Sequence, residues 1–192
     1  MRRERLDRDY FENLYAQSTD PWGFETSEYE RRKYERTLGV LGERRFHRGF
    51  EAGSSIGIFT AMLAPRCDEL LAVDTSQKAV EIAGERLAEH PHVRVERRTL
   101  PEEMPAGPFD LIVASEVLYY WPQEVVLEAL RRFEGILAPE GVLVAVHWRK
   151  ETRTYPLQGD EVHKLLVRHT RLADVRTIKK PEYRLDVFCD VA

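Results

Sequence analysis

The sequence predicts a doubly wound α/β fold: a mostly parallel, seven-stranded sheet that ends in an antiparallel hairpin. Three observations carry that expectation. From about residue 47, short apolar runs alternate with amphipathic helical segments, the pattern of consecutive βαβ units. A glycine-bearing turn, "FEAGSSIG", follows the first of those runs, and an acidic residue, Asp74, closes the second. Near the end, the alternating stretches 172–179 and 183–191 are joined only by "KKPE". That connection is too short for a crossover helix, so the pair must run antiparallel.

Ahead of the sheet, residues 7–17 read as a short helix and "DPWGFET" at 20–26 as a turn. Ser27 followed by Glu30 starts a second helix with a capping box, and Tyr34, Leu38 and Leu41 form its apolar stripe. The expected strands are 47–51, 69–73, 93–97, 109–114 and 141–147, followed by the two hairpin strands. Helices are expected at 57–64, 77–89 and 123–137, the last burying Val126, Leu130, Phe133 and Leu137 at helical spacing, with one more near 160–168. No repeat or linker divides the 192 residues. One domain over 1–192 is expected, with a helical N-terminal cover at 1–45 and an α/β core at 46–192.

Composition excludes several classes. With 43% hydrophobic and 32% charged residues the chain is an ordinary globule, neither disordered nor collagen-like. A net charge of -4 provides no positive field for a phosphate backbone, so nucleic acid is not an expected partner. Cys67 and Cys189 are too far apart for a metal knuckle or a disulfide framework, which fits a reducing compartment. The segment Met1 to Tyr10 is rich in Arg, Asp and Glu instead of the apolar run of a signal peptide. No stretch approaches the ~20 apolar residues of a membrane span, and a cytoplasmic protein is expected. The six histidines show no pair at ligand spacing, so no metal is expected.

In "FEAGSSIGIFT", Glu51, Gly53 and Gly57 lie where strand passes into helix, a place where backbone without Cβ turns sharply and admits a ligand closely. A dinucleotide fingerprint needs glycine at its first, third and sixth positions, which here are Gly53, Ser55 and Ile58, so the nicotinamide pattern fails. The run resembles the methyltransferase loop, acidic-x-Gly-x-Gly-x-Gly, with Ser55 replacing the middle glycine. A plain strand-to-helix turn would use the same glycines. Asp74 follows Gly57 by 17 positions and stands at the carboxyl end of the second strand. A carboxylate there accepts both hydroxyls of a ribose; the competing role is a helix N-cap, which Ser76 could fill equally well.

"FDLIVASEVLYYW" runs a buried strand into Ser115, Glu116, Tyr119 and Tyr120, and "GVLVAVHWR" delivers His147, Trp148 and Arg149 at the end of the next. Ligands in such sheets bind outside the carboxyl ends of strands. For the aromatics, packing of a cover competes with substrate contact; for His147, a hydrogen-bonded structural role competes with catalysis. Tyr155, Asp160 and His163 in "TYPLQGDEVH" complete the set, although His163 fits a helix surface as well.

Taken together, "DPWGFETSEYERRKYERTL", "FEAGSSIG", "LLAVDTS", "FDLIVASEVLYY" and "VAVHWR…YPLQGDEVH" resemble the nodulation protein S family of class I methyltransferases, over almost the whole chain. That resemblance implies S-adenosylmethionine as cofactor, S-adenosylhomocysteine as product, and the amino nitrogen of a deacetylated glucosamine unit, or another polar small molecule, as acceptor. It implies that Gly53, Ser55 and Gly57 cradle the methionine part and that Asp74, with Thr75 and Ser115 in the same cofactor set, serves the ribose. Trp22 and the run Arg31, Arg32, Lys33 would form the cover, Lys33 pairing with the methionine carboxylate. Thr99 stands where many relatives hold the adenine amine with an acid, and Leu100 would pack on the ring. An amine acceptor arrives protonated, with a pKa near or above about 8, so a base is required; Glu116 and His147 are the candidates. Tyr119, Tyr120, Trp148, Arg149 and His163 would meet the acceptor. The competing functions are O-methylation of another small metabolite and a non-catalytic or NAD-binding Rossmann module.

Overall fold

The structure is a computed structural model that describes residues 4–190. The end of the predicted strand 183–191 and the first three positions of the N-terminal cover lie outside the described residues. The backbone forms two compact units, Asp7–Thr99 and residues 4–6 with 100–190.

In the first unit the order is α1 (Arg8–Gln17), α2 (Glu28–Val40), β1 (Phe46–Ala52), α3 (Ile58–Leu63), β2 (Cys67–Asp74), α4 (Gln77–Arg86) and β3 (Val93–Arg97). The three strands are parallel in the order β3-β2-β1, with Phe50 opposite Leu71 and Leu71 opposite Arg94. Four consecutive residues of β2, Leu70 to Val73, are buried, as expected of a parallel strand covered on both faces. Each helix start is chemically specified. Asp7 caps α1 by accepting from the Tyr10 N–H, Ser27 caps α2 from Glu30, and Ser76 caps α4 from Ala79. The fully buried residues of α4 are two alanines, Ala79 and Ala83, so the helix can lie close to the turn before α3.

The second unit holds β4 (Phe109–Ser115), a 3-10 turn (Leu118–Tyr120), α5 (Gln123–Ile136), β5 (Leu137–Trp148), α6 (Gly159–His169), β6 (Ala173–Lys179) and β7 (Tyr183–Cys189). β4 and β5 are parallel, while β7 runs antiparallel to both β5 and β6, giving the order β4-β5-β7-β6. The fold is therefore the expected one: seven strands, mostly parallel, ending in an antiparallel hairpin. α5 buries Val126, Ala129, Leu130 and Phe133.

Two local expectations need correction, and one helix cap went unread. Leu137 begins β5 instead of ending α5, and the strand takes in "APEG" by placing Glu140 at φ 57. Tyr34 and the C-cap residue Leu41 are buried as expected, but Leu38 is only half-buried and the buried face of α2 also takes in Lys33 and Thr37. A reciprocal capping box closes at Gln158 and Glu161 on α6, where glutamine is an uncommon cap and gave no signal.

Gly159 opens α6 against the end of β5, and a Cβ there would lie 1.9 Å from the Trp148 carbonyl oxygen. By contrast, Gly135 on α5 is exposed, with nothing within 4 Å of an added Cβ. Gly159→Ala is expected to lower stability by about 1–3 kcal/mol through overpacking, and Gly135→Ala to raise it by about 0.4–1 kcal/mol through chain entropy. Thermal denaturation of the two variants checks the opposite signs.

Candidate functional site

After β1 the chain turns through three left-handed residues in alternation: Gly53 (φ 80), Ser55 (φ 51) and Gly57 (φ 79). The N–H groups of Gly53 and Ser54 both donate to the Val73 carbonyl at 2.9 Å, tying the turn to the end of β2. Asp74 completes the brace, accepting from the Ser55 N–H at 2.9 Å and the Ser76 N–H at 3.0 Å. Ser76, not Asp74, is the N-cap of α4. A Cβ on Gly57 would approach Ala83 Cβ to 3.0 Å, so α4 packs where only glycine fits. Ser55 stands where the loop pattern expects glycine because the backbone there is left-handed; for an L residue that conformation is strained by about 1–3 kcal/mol. Its bond to Asp74 and a 2.6 Å contact between its hydroxyl and that of Tyr15 hold it in place.

The turn is rich in buried polar atoms. Among the described residues, Oε2 of Glu51 and Oγ of Ser54 meet no donor or acceptor at hydrogen-bonding geometry, although the Thr60 hydroxyl lies close enough to favour the ionised Glu51 carboxylate. Burial pushes the Glu51 carboxyl up to about 7, and the nearby charge of Asp74 acts in the same direction. Burial also raises the Asp74 carboxyl, against the backbone N–H groups that donate to it. Thr75 and Thr99 meet through their hydroxyls at 3.2 Å.

The first helix and the segment that follows it pack on the same turn. Tyr15 lies with Ile56 and Ala79, and Trp22 packs on that group, edge-on to Tyr15 and stacked on Phe24. Burial and the charge of Asp74 raise the Tyr15 phenol, which stays protonated. Glu12 accepts from the Ser76 hydroxyl and the Gln77 N–H, fastening α1 to the start of α4. Of the three cations in the basic run, Arg31 and Arg32 are exposed and paired with Glu28. Lys33 points inward, 1% exposed, with its ammonium 2.7 Å from Glu30 and near the rings of Tyr29 and Tyr34.

In the second unit, Glu116 follows β4 at φ 55 and keeps some exposed surface. Its Oε2 accepts from the Tyr119 hydroxyl at 2.5 Å and the Trp148 N–H at 3.0 Å. Ser115, the last residue of β4, lies opposite Val146. Tyr119, Tyr120 and Tyr155 form an aromatic cluster with ring centroids 4.7 to 5.0 Å apart. Burial raises the phenols of Tyr119 and Tyr120 well above their ordinary value, so Tyr119 donates to Glu116. Leu100 is buried, and its carbonyl accepts from Arg5.

Three further predicted residues have their polar atoms engaged by other groups of the chain. Arg149 grips Asp160 through two bonds, at 2.8 and 2.9 Å, and reaches the Lys180 carbonyl at 2.6 Å. His147 has no exposed surface, and its two ring nitrogens lie 3.2 Å from the Leu118 N–H and 3.2 Å from His163. His163 is equally buried, not on a helix surface, and its Nδ1 meets Asp186 at 2.8 Å. The His147 ring is thus sealed with both nitrogens engaged, whereas Glu116 keeps exposed surface.

The family model of nodulation protein S (NodS) matches residues 7–179. The chain belongs to the nodulation protein S family. Nodulation protein S of Bradyrhizobium diazoefficiens is 34% identical over 129 residues, 65% of this chain and 61% of that protein. The Rhizobium tropici protein of the same name is 30% identical over 134 residues, 69% of this chain and 56% of its own length. The chain thus spans less than two thirds of these curated relatives. The crystal structure of N-methyltransferase NodS from Bradyrhizobium japonicum in complex with S-adenosyl-l-homocysteine matches with a TM-score of 0.86. Identity there is 26%, covering 96% of this chain and 98% of the other.

Tyr15, Glu12 and Asp186 escaped the sequence reading. Tyr15 and Glu12 lie on a short helix whose docking partner local pattern cannot name. Asp186 did carry a signal, a carboxylate inside the apolar run "RLDVF" of a strand buried on both faces.

The Glu51 carboxyl yields a pH prediction. Below about pH 4 it is protonated in the folded and the unfolded chain alike. As pH rises from its ordinary 4.5 to about 7, the unfolded chain ionises while the fold retains the proton. Stability therefore falls through that window by about 3 kcal/mol. Glu51→Gln is expected to abolish most of that fall and to be more stable than the parent at pH 8, as read by urea denaturation across pH.

Proposed function

We propose that this chain is an S-adenosylmethionine-dependent N-methyltransferase that acts in the cytoplasm on an amine-bearing polar small molecule, such as an amino sugar or short oligosaccharide. The single observation that carries this reading is the Gly53–Gly57 turn braced on Asp74, in a member of the nodulation protein S family. Residues 1–192 act as one methyltransferase domain, with 1–45 as its N-terminal cover. No helix among the described residues is long and apolar enough to cross a membrane, and none of their His, Cys, Asp and Glu side chains gather in threes as metal ligands.

The residues of the first unit suit the cofactor. The unpartnered oxygen of Glu51 and hydroxyl of Ser54 are buried polar atoms that a ligand amine can satisfy. Asp74 and Thr75 offer acceptors for ribose hydroxyls, and the inward ammonium of Lys33 suits a carboxylate. Thr99 is assigned to the adenine edge. Trp22 and Tyr15 exclude water above the turn. When bound, S-adenosylmethionine supplies a methyl group on an electron-poor sulfonium.

The chain's remaining tasks are alignment and proton removal. Glu116 Oε2, fixed by two donors, accepts the proton of the acceptor ammonium, and its negative charge selects a cationic acceptor over an anionic one. Tyr119, Tyr120 and Trp148 provide the apolar surface on which a sugar ring rests.

Incubation with methyl-labelled cofactor and paired acceptors, amino sugars beside their N-acetylated forms, tests the reading. Label should appear on nitrogen of the unacetylated member alone; label on oxygen, or no transfer to any amine, overturns it. Glu116→Gln is expected to cut turnover by about 10²–10⁴ while leaving cofactor Kd unchanged. Asp74→Ala should weaken cofactor binding by roughly tenfold or more, seen by calorimetry.

A further inference from the structure

A row of buried polar groups crosses the second unit from Leu118 on the turn after β4, through His147 on β5 and His163 on α6, to Asp186 on β7. The contacts are Leu118 N–H to His147 Nε2 at 3.2 Å, His147 Nδ1 to His163 Nε2 at 3.2 Å, and His163 Nδ1 to Asp186 Oδ2 at 2.8 Å. His147, His163 and Asp186 are all 0% exposed. Asp186 lies beyond residues 7–179, the part of the chain that the family model matches.

Donor and acceptor chemistry allows one proton arrangement along this row. A backbone N–H can only donate, so Nε2 of His147 carries no proton. Neutral His147 then has its proton on Nδ1 and donates it to Nε2 of His163. His163 in turn has its proton on Nδ1 and donates it to Asp186. A second proton on His163 would face Nδ1 of His147 and demand that this ring accept at both nitrogens, which a neutral imidazole cannot do. The far end is secured as a carboxylate. Arg184 donates to Oδ1 at 3.0 Å and lies 2.7 Å from Oδ2, and the Thr177 hydroxyl donates to Oδ1 at 2.9 Å.

The near end bears on the candidate base. Leu118 opens the 3-10 turn that carries Tyr119 and Tyr120, two residues past the left-handed Glu116. Tyr119 holds Glu116 Oε2, and its ring stands edge-on to His147 with centroids 5.2 Å apart. Trp148, next in the chain after His147, supplies the second donor to that oxygen.

We propose that Asp186 and His163 are positioning residues that lock His147 in its Nδ1-protonated tautomer and so hold the Leu118–Tyr120 turn with Glu116 aimed for proton transfer. The reactive consequence rests on the base role proposed above for Glu116; the tautomer lock does not. Asp186 sets the direction of the row as an acceptor at its end. The substitution Asp186→Asn introduces an amide that can donate an N–H to His163, which permits the reversed row and places a proton on His147 Nε2 against the Leu118 N–H.

Two-bond nitrogen–proton correlation spectra of the whole protein test the lock directly, with His147 and His163 identified by their loss in His147→Gln and His163→Gln. Both rings should show the Nδ1–H pattern near neutral pH, and the Leu118 amide should exchange slowly. Nε2–H at either ring overturns the proposal. In Asp186→Asn, Leu118 should lose protection and methyl transfer should fall by roughly 100-fold, with cofactor Kd unchanged. His163→Gln, whose amide oxygen still accepts from His147, should retain more activity than His163→Leu, which leaves His147 without an acceptor. Should Asp186→Asn fail to fold, this pair decides: equal losses overturn the positioning role. A parent protein that methylates no acceptor yet shows both tautomers defeats the assigned reaction and leaves the lock standing; normal turnover in folded Asp186→Asn defeats the positioning role alone.

Discussion

The backbone between β1 and α3 is the constraint on which the first unit depends. Three of five consecutive residues, Gly53, Ser55 and Gly57, sit at positive φ, a conformation that polypeptide does not hold unaided. Asp74 and the Val73 carbonyl, adjacent at the end of β2, accept four N–H groups between them and so convert an unfavourable turn into a rigid one. The rest follows from that rigidity. α4 must be lined with alanine where it meets Gly57, and α1 can dock through Tyr15 because Ser55 offers its hydroxyl in a defined direction.

The two units handle buried polarity differently. Around the glycine turn, Glu51 and Ser54 are buried with atoms unsatisfied, a cost that native chains keep where something else will supply the partner. In the second unit, Arg149 is closed on Asp160 by two donated bonds and His163 on Asp186 by one, all at ordinary lengths. Saturated groups of that kind specify geometry. Glu116 stands between these extremes: oriented by two donors on one oxygen, yet retaining exposed surface.

Ser55 shows how a departure from a motif becomes intelligible. As a sequence difference it is a serine where a glycine is expected. In the folded chain it is an L residue held left-handed by a carboxylate on one side and a phenol on the other. The strain is local, and its compensation comes from residues 19 and 40 positions away. That separation is why no window of sequence around the loop could announce it.

The sequence by itself determined the order and type of the elements, the antiparallel close of the sheet, and the positions of Gly53, Gly57 and Asp74 at strand ends. These are consequences of local periodicity and turn chemistry, which act over a few residues. The structure alone decided which side chains are sealed. Asp186 had to pair in register with Ala145 of β5 before His163 could be seen as its partner and His147 as the next in the row. Arg149 had to meet α6 before it could be recognised as a clasp on Asp160. Hydrogen-bond saturation and solvent exposure are properties of contacts between distant segments, which no short stretch of sequence encodes.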